Sequence, residues 1–341
     1  MMSKYADPLP RTRATAAFER RIQRALTQVA PTEAPLVVAC SGGPDSSAAL
    51  IAVARGGRPV HVAHFDHRSR SGDETAADRA AVERLAARLD VPLLVGDARR
   101  ARGPASEESA REARYRWLAR ACAEAGAAMC VTGHTLDDQA ETVLLRLARG
   151  SGLSGAASMA ELAPWPLPRA RGAARLSVAR PLLGVTRAEV EGYLDVLGVE
   201  ARHDLSNEQL RYGRNRVRRR VLPELERVHR GAARSIARFA GLARRDDEAL
   251  EALAAVELAR IASRERGAVA LERRELAALP EALASRVLRQ AARDLGLEPN
   301  AGQLEALAGA ARRRGARVDL DGGRGSTDGT TLRLERGAAP H

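Results

Sequence analysis

The chain has 341 residues, 45% of them hydrophobic and 29% charged, with a net charge of +12 and a pI near 10.9. That length allows one large or several smaller domains with an ample core, and no apolar run approaches the ~20 residues that would span a bilayer. Its three cysteines, Cys40, Cys122 and Cys130, contain no Cys-x-x-Cys pair, which excludes a disulfide framework and a Cys-rich metal site and points to a reducing cytoplasm.

The excess charge favours a polyanionic partner. It is almost wholly arginine, since Lys4 is the only lysine, and between residues 201 and 245 thirteen arginines face four acids. Arginine grips phosphate through a planar fork, so this stretch suits nucleic acid and no membrane role is expected.

Residues 1–13 carry no apolar signal core and read as a frayed arm, so residues 1–30 are an N-terminal arm and helix. The following half alternates. Apolar β-like runs are predicted at 36–40, 59–65, 91–95 and 128–132, with helical patterns at 46–55, 74–89, 106–125 and 136–149. This order predicts an α/β fold, a Rossmann-like parallel sheet with helices on both faces.

The first strand runs into Ser41-Gly42-Gly43-Pro44-Asp45-Ser46, and a helix begins at once. Paired glycines let the backbone approach a ligand, and amides at a helix start point at an anion. Ser41, Ser46 and Ser47 could add hydroxyl donors. The loop lacks the lysine of a Walker A motif and is not Gly-x-Gly-x-x-Gly. Asp45 inside an anion loop would repel phosphate unless a cation lies between, which implies Mg²⁺.

The second strand ends in His64-Phe65-Asp66-His67, at the sheet edge where ligands of open α/β folds bind, so His64 and His67 are candidate nucleotide contacts. On the next helix, Arg111 and Arg114 share a face and could meet triphosphate or RNA. The fourth strand opens into Gly133-His134-Thr135-Leu136-Asp137-Asp138-Gln139-Ala140-Glu141. Three acids, Asp137, Asp138 and Glu141, thus cluster at one helix start. The helix dipole would favour them there in any case. As a site, one joins Asp45 at the metal while others hold an ammonium group and take its proton.

Residues 150–155 and 164–172 read as loops, a fifth strand is predicted at 176–180 and a helix at 187–197. Long helical patterns follow at 208–264, 272–295 and 300–314, and the tail 317–335 reads as a β-hairpin. The predicted organisation is a catalytic domain at 31–220 and a smaller, mainly helical domain at 221–341.

The loop resembles the pyrophosphate loop (PP-loop) of N-type ATP pyrophosphatases, enzymes that activate a substrate oxygen as an adenylate. With Asp137-Asp138-Gln139-Ala140-Glu141-Thr142, Arg180-Pro181-Leu182-Leu183, Asp204-Leu205-Ser206-Asn207, Arg214-Asn215-Arg216-Val217-Arg218 and Leu222-Pro223 in order and register, the chain resembles the tRNA(Ile)-lysidine synthases. The likeness is strong over 35–230 and weaker over 245–335. His67-Arg68-Ser69-Arg70 departs from the family's His-Gly-Leu-Arg, and longer members carry a further C-terminal domain.

The resemblance implies an adenine nucleotide alpha hydrolase-like fold and a carbon–nitrogen ligase. Such an enzyme adenylates the wobble cytidine of a tRNA(Ile) with a CAU anticodon and replaces AMP by free L-lysine. The tRNA then reads AUA and is charged with isoleucine. ATP and Mg²⁺ are the implied cofactors, and a homodimer is an allowed assembly. ATP contacts are assigned to Ser41, Gly42, Gly43, Pro44, Asp45, Ser46, His64, His67, Arg111, Gly133 and His134. Catalysis falls to Asp45, Asp137, Asp138 and Glu141, the metal to Asp45 and Asp138, and tRNA to Arg114, Arg211, Arg214, Asn215 and Arg218. Within that frame Asp137 or Glu141 is the base. A tRNA thiolase of the same superfamily and a non-catalytic RNA-binding protein are the alternatives.

Overall fold

The computed structural model describes residues 9–30, 33–66, 72–98, 107–167, 175–202 and 213–337. His67 and Arg211 lie outside the described residues, as do residues 204–207. The chain forms two compact units, Met1–Gly241 and Leu242–His341.

In the first unit the elements run α1 (Arg13–Val29), β1 (Leu36–Ala39), α2 (Pro44–Ala54), β2 (Val60–Asp66), α3 (Gly72–Leu89), β3 (Leu93–Asp97), α4 (Glu107–Glu124), β4 (Met129–Val131), α5 (Leu136–Ala148), α6 (Leu153–Ala156), β5 (Leu162–Pro164), β6 (Ser177–Ala179), α7 (Arg187–Leu197), α8 (Gly213–Arg216), a π-helical turn at Val217–Val221, α9 (Leu222–Val228) and the start of α10 (Ala232–Ile261). The sheet order is β3-β2-β1-β4-β6-β5, parallel except for β5, which closes one edge antiparallel to β6.

Alternation along β1 explains why both faces are covered. Leu36 and Val38 pack with Ile22 and Leu26 of α1, α2, Val82 of α3 and Val190 and Leu194 of α7. Val37 packs on the opposite face with Leu118 and Cys122 of α4 and with Cys130 and Val178. Helix α2 is buried without a break from Ser47 to Val53, as expected of a helix that is apolar all round. Because β2 and β4 flank β1 on opposite sides, their connections diverge there. In such sheets the ligand crevice lies outside the C-terminal ends of the strands at that point, here β1 and β4.

Several expectations are corrected. Residues 9–13 are not frayed: Leu9 is buried, and the Arg55 guanidinium donates to the Pro10 carbonyl. The predicted loops 150–155 and 164–172 overlap α6 and β5, whose short lengths leave no periodicity to read. The division between units falls inside α10, later than residue 220. Leu222 and Ala233 explain it, since both pack with Leu136 and Ala140 of α5.

The second unit contains the rest of α10, then β7 (Ala262–Glu265), β8 (Ala268–Glu272), α11 (Arg273–Ala278), α12 (Glu281–Asp294), α13 (Ala301–Ala310), β9 (Arg317–Leu320), β10 (Gly323–Thr327) and β11 (Thr331–Arg336). It is mainly helical, but the lone hairpin is corrected to a five-stranded antiparallel sheet, β7-β8-β11-β10-β9. Leu271, Leu332 and Leu334 pack there against Val287, Leu288 and Leu307. Among the described residues, no helix is long and apolar enough to cross a membrane.

Candidate active site

The loop after β1 is shaped by its glycines and braced by its serines. Gly42 has φ +92°, a region that disfavours side chains, and its carbonyl accepts from the Arg202 amide at 3.1 Å. Gly43 is the extended residue before α2, and Pro44 sits in the first turn without wasting an amide. Among the described residues no side chain caps this helix, so its N-terminal dipole is left to the crevice. Ser46 Oγ accepts from the Ser41 amide at 3.2 Å and donates to the Gly43 carbonyl at 3.0 Å. Ser41 Oγ lies 3.1 Å from Ser46 Oγ and accepts from the Gly43 amide at 3.4 Å. The hydroxyls therefore hold the loop's shape, and Ser47 is buried rather than turned to the crevice.

Gly133 locks this loop to the next part of the site. A Cβ there would stand 2.7 Å from the Asp45 carbonyl and 2.8 Å from the Ser46 nitrogen, so only glycine lets the end of β4 lie on the first turn of α2. Helix α5 consequently starts beside the loop. Thr135 caps it, accepting from the Asp138 amide, while Asp138 Oδ2 accepts from the Thr135 amide at 2.9 Å.

The three acids of α5 and Asp45 have separate tasks. Asp137 Oδ2 accepts the backbone N–H of Arg187 at 2.8 Å and so fixes the start of α7. Asp138 Oδ1 lies 3.2 Å from Arg218 and 3.4 Å from Arg187. Glu141, fully buried, is held by Arg218 at 2.6 Å through Oε1 and by Arg214 at 3.2 Å through Oε2. Asp45 Oδ2 stands 3.6 Å from Arg187 Nε, and its buried Oδ1 has no hydrogen-bond partner among the described residues.

Burial pushes Asp45 from its ordinary 3.8 up to about 6; Arg187 opposes the rise and Asp138 adds to it. Burial also works against ionised Asp138. His134, Arg187 and the Thr135 amide outweigh it and hold this carboxyl below its usual range. His134, with Nδ1 2.8 Å from Thr132 Oγ1, is pushed by burial down to about 4, so its ring is neutral near pH 7. Buried His64 sets Nδ1 3.0 Å from the Cys40 carbonyl, directly behind the loop, and its buried Nε2 has no partner among the described residues. Arg111 and Arg114 do share a face, their guanidinium carbons 5.1 and 5.3 Å from the Tyr115 ring centre.

Three placements differ from the sequence reading. Arg214 of α8 and Arg218 of the π-helical turn point into the acid cluster, not outward, because both elements lie against α5. Asn215 is buried and engaged, so it does not present an amide to solvent. Arg187 was missed altogether. It reaches Asp45, Asp138 and Glu141 at 3.4–3.6 Å, yet its only mark in the sequence is the Thr186-Arg187-Ala188-Glu189 capping box, a signature of a helix start. Among the described residues, no three His, Cys, Asp or Glu side chains form a metal-binding group.

The PP-loop domain family matches residues 14–225, and the family described as the TilS substrate binding domain matches residues 271–339. A tRNA(Ile)-lysidine synthase of Salinispora tropica is 40% identical over 327 residues, which is 90% of this chain and 92% of that protein. One of Salinispora arenicola is 39% identical over 301 residues, 84% of each chain. Among solved structures, the U34-tRNA thiolase NcsA of Methanococcus maripaludis has a TM-score of 0.53 at 16% identity, covering 67% of this chain and 80% of that one. That likeness is one of fold.

Proposed function

The chain belongs to the tRNA(Ile)-lysidine synthase family, and from that premise we propose that it ligates free L-lysine to C2 of the wobble cytidine of a CAU-anticodon tRNA(Ile), through a cytidine adenylate. The observation that supports this reading best is the seating of Gly133 on Asp45. It sets an anion-binding helix start beside an acid–arginine cluster, so one crevice serves a phosphate and an amine.

In the first step the cytidine O2 attacks the α-phosphorus of ATP, the bond to the bridging oxygen breaks, and pyrophosphate leaves with the electron pair. The N-terminus of α2 and the loop amides receive the outer phosphates. Asp45 and Asp138 would hold a magnesium ion: one oxygen of Asp45 is buried without a partner among the described residues, and the two carboxylates interact electrostatically. Magnesium needs few protein ligands because water and phosphate complete its shell. Bound there, the ion supplies neutralisation of phosphate charge.

In the second step the lysine ε-amine attacks C2, the C2–O bond breaks, and AMP departs with the electrons while the amine loses a proton. The ordinary pKa of ~10.4 leaves about one part in 10³ neutral at pH 7, so a base is required. Of the two candidates, Asp137 is favoured. Both oxygens of Glu141 are engaged by Arg218 and Arg214, which makes it the anchor of the cluster. The target base must leave the anticodon stack to reach the crevice. Exposed Arg216, Arg219 and Arg220 supply phosphate contacts for the RNA, while Arg214 and Arg218 serve the site from within.

The test is incubation with ATP, Mg²⁺, labelled lysine and CAU-anticodon tRNA, followed by nucleoside analysis. Labelled lysidine in place of one cytidine is expected. Unmodified cytidine, or modification only in the presence of a sulfur donor, would refute the proposal.

A further inference from the structure

We propose that Arg187 is a catalytic residue, the cation that binds the α-phosphate while the adenylate forms; this rests on the lysidine synthase reading of the same crevice. Developing charge on a phosphoryl group is usually met by a lysine or arginine. The loop has neither, and the chain's only lysine is Lys4. Of the arginines described at this site, Arg187 is the one within 4 Å of Asp45, in the first turn of α2. Its head thus lies over the helix start that receives the anion.

Its contacts suit a group that exchanges partners. The base of the side chain is fixed, because Asp137 Oδ2 holds the Arg187 amide at 2.8 Å and the Thr186–Glu189 capping box starts α7 at that residue. The guanidinium, by contrast, is suspended among Asp45 at 3.6 Å, Asp138 at 3.4 Å, to which it donates a long hydrogen bond, and Glu141 at 3.6 Å. Arg218 differs, sitting 2.6 Å from Glu141. Arg218 is therefore committed to its acid. Arg187 is a charge held at the right place with its strongest partner still to come. The α-phosphate, next to the outer phosphates that the amides of α2 receive, supplies that partner, and Asp45 is then released to face the cation that accompanies ATP.

The experiment compares wild type, Arg187→Gln and Arg187→Lys, each checked for an unchanged melting temperature. It uses radiolabelled ATP and CAU-anticodon tRNA in single turnover without lysine, followed by a lysine chase. The adenylation rate of Arg187→Gln should fall by about 10²–10³, the ATP dissociation constant should change far less, and the adenylate that does form should be discharged by lysine at the wild-type rate. Arg187→Lys should recover part of the loss. Adenylation by Arg187→Gln within about threefold of wild type overturns the proposal, as does a lysine chase slowed as much as adenylation, since Arg187 would then only position the acids. Absence of adenylate with the wild-type enzyme would overturn the lysidine synthase reading itself, and this proposal with it.

Discussion

Replacing Asp45 by Asn should make the protein more stable while removing its activity. Asp45 is forced to ionise where burial disfavours the charge, and its pKa rises from 3.8 to about 6. For an acid, a raised folded-state value means that the ionised form weakens the native state. The penalty is full above the folded pKa and disappears as the pH falls toward the unfolded value. At ~1.36 kcal/mol per unit, the cost at pH 7 is about 3 kcal/mol, an upper figure because the side chain is 23% exposed. At pH 5 about half of that remains. Asn has nearly the same shape and no charge. Without ATP or metal, the variant should melt roughly 4–10 °C above wild type at pH 7, with the gap narrowing at pH 5. Differential scanning fluorimetry across pH reads this directly. A variant that melts at or below the wild-type temperature at pH 7, or a gap that widens as the pH falls, would refute the reasoning about burial.

Arg218→Ala strips buried Glu141 of its closest partner and should cost about 2–4 kcal/mol in urea unfolding; Arg218→Ala combined with Glu141→Gln should recover much of that loss. Gly133→Ala places a methyl against the Asp45 backbone, so a loss of about 1–3 kcal/mol should accompany a severe drop in adenylation, both visible in thermal melts and ATP–pyrophosphate exchange. Because ionised Asp45 is the form that would meet the metal, kcat/KM for ATP should fall about tenfold per pH unit below about 6, and a flat pH–rate profile from 5 to 7 would contradict that role. Binding of tRNA should weaken linearly on a log–log plot against salt, with a shallower slope for Arg219→Gln combined with Arg220→Gln.

The parallel sheet and its loop were legible because they rest on local signals: apolar runs separated by helical periodicity, and a Gly-Gly-Pro turn that only a strand-to-helix junction explains. Helix α7 begins and ends where predicted because Thr186 and Gly198 punctuate it. What escaped detection depends on partners distant in sequence. Strand β7, Ala262-Ser263-Arg264-Glu265, has little intrinsic β preference and forms because β8 pairs with it. Arg187 meets Asp45 only because α7 packs on α2. Arg214 of α8 and Arg218 of the π-helical turn face the acids of α5, and an arginine-rich string cannot say which of its side chains turn inward. The sequence did locate the acids at 137, 138 and 141, but only the fold separates their contacts: Asp137 with the Arg187 amide, Asp138 with Thr135, Arg187 and Arg218, and Glu141 with Arg214 and Arg218.

Transfer of label from [α-³²P]ATP to CAU-anticodon tRNA tests the chemistry most directly. Without lysine, label should accumulate on the tRNA in step with pyrophosphate release, leave as AMP when lysine is added, and never appear with Asp45→Asn. Lysine attachment that proceeds with no labelled tRNA ever formed, or label that lodges on the protein, would contradict a crevice built to adenylate a nucleobase.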